Sequence, residues 1–502
     1  MKKFIFNICA AMLLVCSCDL DILPSNSITT DSSLSSVEDA QKFRRDLYIT
    51  VRDYIVSGPP IYLPELMSDS FHASITFGNR NGEYYKWEMR STFGSVESLW
   101  SNSYYCVMLA NFLEQGIPAM DQTKLSNSDK AQLDIILGEC AFVKAYTMFV
   151  LAEFFCNNYS SNASSDFGVM LSDEPFTTPS DQSSYPGRST LAETYDYISR
   201  NLSKAETLLG SVSGVEGSIY FTKDAVTALK ARIALTKGDY STAITASTSL
   251  INPGTYSLID NKSDFDKLWT NDSGKECIVQ MWADYQSLPR SNCYDYVGLQ
   301  SNGTFSPNYM PEQWIIDEFT SDDIRFQTWF KKTPVVFGTL NSNLYIFTKF
   351  PGNPELMPGE TISTYLNKVK PFRIAEQYLI AAEAYAASGD AVNANKYLNA
   401  LRAKRLESHS ERNYSGEELM TQIKKERVKE LFGEGFRLKD LKRWNKGFAR
   451  SAAQDDQIIN NAGSTLTEFL SKSADDPFFL WPIPQSEIDS NPQIRGQQNP
   501  GY

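Results

Sequence analysis

Glu426-Arg427-Val428-Lys429-Glu430-Leu431-Phe432-Gly433-Glu434-Gly435-Phe436-Arg437-Leu438-Lys439-Asp440-Leu441-Lys442-Arg443-Trp444 is the stretch from which the architecture can be read. Glu426, Glu430 and Glu434 stand four apart, which on a helix sets three carboxylates on one face. Such a row could serve acid–base chemistry or hold a metal. Lys425, Arg427, Lys429, Arg437 and Arg443 are interleaved with it, so the row is read as part of an ion-paired frame, with those five cations as partners. Upstream, Ser415-x-x-Glu418 has the form of a capping box that opens the helix. The stretch predicts a charged helix built into a scaffold.

Working outward, a helical period continues over much of the chain. Residues 34–56 carry it. Trp100, Tyr104, Val107 and Asn111 share one face of a helix closed by Gly116 and Pro118. A longer helix is expected over about 128–155, with a broad apolar face through Leu133, Ile136, Ala141, Ala145 and Phe149, and another over 191–209. Ala231, Gly238 and Ala243 are echoed at the same spacing by Ala382, Gly389 and Ala394. Small residues let two antiparallel helices approach closely, and Gly238-Asp239 and Gly389-Asp390 make tight turns, as in a tetratricopeptide (TPR) hairpin. The two segments lie 151 residues apart, which predicts dispersed hairpins rather than a tandem array. Between them, residues 253–371 are rich in Gly, Pro, Asn and aromatics, with strand-like runs at 276–281 and 344–350. A loop-rich insertion of that length in a helical body is where function is expected. The fold class read from these patterns is mostly α, a scaffold of TPR-like helical hairpins with a loop-rich insertion carrying short strands.

The quoted stretch, taken as Glu426-Arg427-x-x-Glu430-Leu431-x-x-Glu434-Gly435-x-Arg437-x-x-Asp440-Leu441-x-Arg443-Trp444, resembles the signature of the SusD/RagB family. The closing segment is similar to that family's C-terminus: Trp481-Pro482-Ile483-Pro484-Gln485, Glu487-Ile488, Asn491-Pro492 and Gln498-Asn499-Pro500-Gly501-Tyr502. So are Arg373-x-Ala375-Glu376-x-Tyr378-Leu379-Ile380, Leu398-Asn399-x-x-Arg402, and Gly138-Glu139-x-Ala141-Phe142-x-Lys144-Ala145-Tyr146. The resemblance implies a Bacteroidetes outer-membrane lipoprotein, mostly helical, with TPR-like helix pairs packed against a loop-rich ligand face. It further implies that the protein captures nutrient, most often glycan, for a SusC-like TonB-dependent transporter, and that it is not an enzyme and needs no cofactor. These motifs belong to the family's scaffold and carry no ligand contacts over. The expected organisation is a signal peptide at 1–17, a lipid anchor and tether at 18–36, and a SusD-like domain at 37–502. That domain divides into a helical part at 37–252, the insertion at 253–371 and a second helical part at 372–502.

The N-terminus agrees with that expectation. Lys2 and Lys3 precede an apolar run from Phe4 to Val15, and Val15-Cys16-Ser17-Cys18 ends it, which describes a secretory signal too short to span a bilayer. With small or apolar residues before it, Cys18 resembles a lipobox cysteine, lipidated and forming the mature N-terminus; Asp19-Leu20-Asp21 resembles a surface-export signal. The polar run to Ser36 reads as a flexible tether. The chain carries a formal charge of −13, so its net field favours neither nucleic acid nor anionic lipid. No later segment is read as long and apolar enough to cross a membrane.

Several activities are disfavoured by composition. There are two histidines, His72 and His409, little material for a hydrolytic triad or a catalytic metal centre. No HExxH, GxSxG or phosphate-binding glycine loop occurs. Asp260, Asn261, Asp264, Asp266, Asn271 and Asp272 lack EF-hand spacing and read as a solvated loop; no metal is expected. Beyond the signal, Cys106, Cys140, Cys156, Cys277 and Cys293 show no zinc cadence, and a Cys277–Cys293 bridge is left open.

Aromatics, by contrast, are plentiful: 26 Tyr, 29 Phe and 8 Trp suit a protein that grips rather than cuts. A sugar is held by ring faces, with amides, carboxylates and Arg taking its hydroxyls. Two stretches have that make-up. The first, 71–87, offers Asn81, Tyr84, Tyr85 and Trp87; the second, 282–309, offers Trp282, Tyr285, Arg290, Tyr294 and Tyr296. Trp87, Trp282, Tyr285 and Tyr296 are the expected stacking residues. Peptide or another non-sugar nutrient is the alternative cargo. A carboxylate-pair hydrolase and a protein-only TPR adaptor are the rivals from other classes.

Overall fold

The computed structural model describes residues 34–175, 185–360, 365–451, 453–460 and 470–502, the side chains of Tyr294 and Asn460 excepted. Cys18, the signal and the tether to residue 33 lie outside the described residues.

Both hairpins form where the sequence places them. Lys223–Lys237 and Tyr240–Ile251 are joined by Gly238, whose φ of 75° is left-handed, and Asp239 caps the second helix by accepting from the Thr242 N–H. Ile374–Ala387 and Ala391–Arg402 repeat the device with Gly389 (φ 84°) and Asp390, which accepts from Asn393 N–H. Although 151 residues separate them in sequence, the hairpins stack: Ala231, Ala234, Ala243 and Ala246 pack against Ile380 and Ala384. On the other side Ala382, Ala394 and Leu398 meet Leu419 and Ile423 of the helix Gly416–Leu431. The dispersed hairpins are thus neighbours in one solenoid-like stack, because each buries its alanine face only against the next.

The helices Val37–Thr50, Gly94–Ala119, Asn127–Phe155 and Leu191–Leu208 complete the scaffold. Asn127–Phe155 corrects one expectation: it is long and apolar enough to cross a membrane by composition, but 89% of that window is buried inside the fold. A helix apolar on every side belongs at the centre of a bundle as readily as in lipid.

The carboxylate row is structural, but its partners differ from those expected. Glu426 pairs with Arg325 and Arg402, Glu430 with Arg325, Arg373 and Arg405, and Glu434 with Lys349 and Arg373. The cations of the row's own segment point elsewhere: Arg427 to Asp440, Lys429 to Asp323, Arg437 to Asp69, and Arg443 to Glu383 and Asp440. Residues three and four apart do meet on an exposed helix, yet this face is buried and its charges are answered across the core. Ser415 precedes the helix without its side chain making a cap hydrogen bond, so the expected box does not form.

The insertion supplies short strands. Phe330–Phe337 and Leu340–Phe347 form an antiparallel hairpin turning at Gly338 (φ 63°). Phe71–Ser74 lies between Tyr309–Pro311 and Ile459–Asn460 in a three-stranded antiparallel sheet. Lys262–Thr270 is a helix capped by Asn261, and Asp272 is buried against Lys370, so the acidic run expected as a solvated loop is ordered structure. Cys277 and Cys293 are both free and buried; the bridge left open in the sequence is not made.

Candidate functional site

The two candidate stretches meet, but most of their rings meet each other. Tyr296 is completely buried, stacked on Phe71 with centroids 4.2 Å apart and planes 5° from parallel. Trp87 is 3% exposed, its indole N–H donating to the Met67 carbonyl at 2.6 Å and its ring edge-on to Phe479. Tyr84 packs against Trp481 and Phe93, and Tyr85 lies under the Arg450 guanidinium at 3.6 Å. Asn81 donates to Asp295 at 2.7 Å. None of these four rings has a face left for a sugar, and the Asn81 amide is engaged; the expectation that Asn81, Tyr84, Tyr85, Trp87 and Tyr296 contact ligand is corrected. The physical reason is their apolar area, since burying a ring is worth about 1.5–3 kcal/mol when core space is on offer. The Tyr294 side chain lies outside the described residues.

Trp282 and Tyr285 behave differently. They are 45% and 59% exposed, on a loop whose tight turn is made by Asp284 accepting from the Gln286 and Ser287 N–H groups. Arg290 sits at the base of the loop, its guanidinium 4.2 Å from the Tyr54 ring and its stem against Gly58.

What holds this loop is Arg52, in the π-helical turn Val51–Ile55 that continues the first helix. Arg52 is buried. It donates to the carbonyls of Trp282 (2.9 Å), Ser287 (3.1 Å) and Leu288 (3.2 Å) and pairs with Asp53. A π-turn widens the helix by one residue and commonly marks a functional site. Here it aims one arginine fork at three carbonyls of a loop 230 residues away.

Beside the loop opens a cleft of ≈ 380 Å³, floored by Gln41, Arg44, Arg45, Tyr48, Ile49 and Arg52 and walled by Ile219, Tyr220, Met281 and Trp282. Arg44 grips buried Glu139 with both arms (2.5 and 2.6 Å) and lies 4.0 Å over the Tyr220 ring. Tyr48 donates to Glu139 at 2.8 Å, accepts from the Phe221 N–H and stands edge-on to Tyr220. Burial pushes the Glu139 carboxyl up, against the opposing pull of Arg44 and Tyr48, while Arg44 is raised because its pairing with Glu139 outweighs its own desolvation. The cleft therefore presents two ring faces, Trp282 and the 45%-exposed Tyr220, on a rigid polar base. Tyr48, Arg44, Arg45 and Tyr220 were missed in the sequence, because nothing in a helical period or in Ile219-Tyr220-Phe221 marks which face stays open.

A larger cleft of ≈ 470 Å³, between residues 206 and 256, is lined by Glu206, Lys223 and Asp224 beside Ser, Thr, Gly, Leu250 and Pro253, and its one ring, Tyr256, is buried with its hydroxyl tied to Asp224. It offers no stacking surface.

The described residues form a helical solenoid that carries a preformed aromatic cleft. Profiles of the SusD family match residues 341–502, and a profile described as starch-binding associating with outer membrane matches residues 24–235. Over these two spans the chain is similar to the SusD/RagB family. A SusD-like protein of Formosa agariphila is 29% identical over 322 residues, a match spanning 56% of this chain and 62% of that relative. The fold is also that of a SusD superfamily protein of Bacteroides thetaiotaomicron VPI-5482 (TM-score 0.76, 23% identity, 93% of this chain and 100% of that one). A SusD-like carbohydrate binding protein of Bacteroides vulgatus ATCC 8482 superimposes comparably (TM-score 0.74, 19% identity, 93% and 98%).

Proposed function

We propose that the protein is a lipid-anchored, surface-exposed receptor that holds an oligosaccharide in the Trp282–Tyr220 cleft and passes it unchanged to a SusC-like TonB-dependent transporter. The observation that carries this reading is the pair of exposed rings over a base of satisfied polar groups. Large rings left in water on a fixed loop cost stability and are retained where a ligand covers them. Stacking by a few rings supports affinities on the order of micromolar to millimolar, which avidity with a transporter would make sufficient.

Calorimetric titration with a panel of oligosaccharides, repeated on W282A, tests the site: the wild type should bind at least one sugar and the variant should lose about tenfold or more in affinity. Heat from peptides and none from sugars would favour the alternative cargo. Incubation with polysaccharide should release no reducing ends; turnover would make the protein a hydrolase. Capture of the transporter from detergent-solubilised outer membrane by the lipidated wild type, and its loss with C18A, would report on partner and anchor.

A further inference from the structure

Resting on that cleft reading, we propose that the cargo is an acidic oligosaccharide, one whose carboxylate or sulfate is taken by Arg45. Three guanidinium groups line the cleft, Arg44, Arg45 and Arg52, and no carboxylate does. This stands against the rest of the molecule, whose net charge is −13. Two of the three are spoken for. Arg44 is committed to Glu139 and Gln41, and Arg52 to Asp53 and the loop carbonyls. The nearby Asp46 accepts from Tyr105. Among the described residues, Arg45 has no ion pair or hydrogen bond from its side chain, and it is exposed at the cleft's edge.

The arrangement sorts ligands by charge. Sugar hydroxyls can be met by amides, carboxylates or Arg, but a neutral glycan gains less from an unpaired guanidinium than an anionic one does. An anionic substituent gains a charge-assisted, two-armed hydrogen bond to a planar fork, at the one guanidinium of the three whose charge no carboxylate answers among the described residues. A carboxylate from a uronic acid and a sulfate ester offer the same geometry, and the cleft binds either by one contact.

The test is a glycan array on the full soluble chain, printed with matched pairs: uronate oligosaccharides beside their methyl esters, and sulfated galactan oligosaccharides beside their desulfated forms. The expected result is that bound spots carry acid groups and that neutralising them lowers binding about tenfold. Which pair responds identifies carboxylate or sulfate. R45E should lower affinity for the acidic member of a pair about tenfold more than for its neutral member, and raising salt from about 0.05 M to about 0.5 M should do the same. Neutral members bound as well as acidic ones, with W282A abolishing both, would overturn the acidic specificity and leave the cleft as a glycan site. No bound glycan at all would overturn both readings.

Discussion

Trp87 and Trp282 both come from stretches mixing rings with Asn, Gly and Arg, yet one is 3% exposed and the other 45%. Trp87 adopts a positive φ of 61° and turns inward onto Phe448 and Phe479. Its removal would leave a large cavity: W87A should cost about 3–5 kcal/mol in a urea titration. W282A should cost under ~1 kcal/mol while losing glycan affinity; equal destabilisation by the two would contradict the assignment of one to core and the other to cleft. His72 is a second residue whose environment overrides its type. It is fully buried, neither ring nitrogen has a hydrogen-bond partner among the described residues, and burial with Arg450 nearby lowers its pKa to about 3. Between that value and an unfolded value of about 6.5 the unfolded chain binds more protons, so stability falls as pH drops below about 6.5. Buried Glu312 has the opposite sign, since burial lifts its pKa to about 8 and its ionisation costs stability as pH rises from the unfolded value of 4.5. In an E312Q background, H72L should therefore gain about 2 kcal/mol relative to E312Q alone between pH 7.5 and pH 5. A pH-independent difference would show that His72 is not the titrating group.

At the scale of elements, local signals were legible and partnerships were not. Gly238-Asp239 and Gly389-Asp390 announce their turns because a left-handed cap and an Asp N-cap are properties of neighbouring residues. At Gly389 an added Cβ meets nothing within 4 Å, so G389A should cost only the backbone penalty of about 1 kcal/mol, read as a shift in thermal midpoint. A much larger loss would mean that the turn is crowded. That the hairpins stack was hidden, because alanine faces of the same spacing do not name their partner. The 282–288 loop shows the same limit. Its residues were read as a binding stretch, but the clamp that fixes it comes from Arg52, in a helix that looked like scaffold. R52K keeps a charge and loses the fork; amide exchange over 282–288 should rise and glycan affinity fall several-fold, whereas unchanged exchange would remove Arg52 from this role.

At the scale of the molecule, a buried ionic network ties the insertion to the C-terminal helical part. Arg325, Arg373, Arg405 and Lys349 face Asp323, Glu276, Glu426, Glu430 and Glu434, nearly all without solvent exposure. Burial opposes ionisation of Glu430, but Arg405, Arg373 and Arg325 override it and hold its pKa well below the usual carboxylate range; Glu383, desolvated beside Arg443, is held at about 2. Both contribute stability that is present above the unfolded pKa and lost as pH falls through the folded one, so these pairs should fail progressively below about pH 4.5. E430A would take from three buried arginines a carboxylate they share, leaving Arg405 with Glu276 alone, and should cost about 3–5 kcal/mol. A loss below ~1 kcal/mol would indicate that water or a neighbouring carboxylate takes over the site.

The helical fold class, the hairpin turns and the family signature were determined by the sequence alone, since periodicity, caps and motif spacing are written in consecutive residues. Which rings would be core and which would stay open, which charges would pair, and that Arg44, Arg45, Tyr48 and Tyr220 would frame the cleft were decided only by tertiary structure. Burial and ion pairing depend on partners that arrive from hundreds of residues away, and solvent reaches a ring only where no such partner remains to cover it.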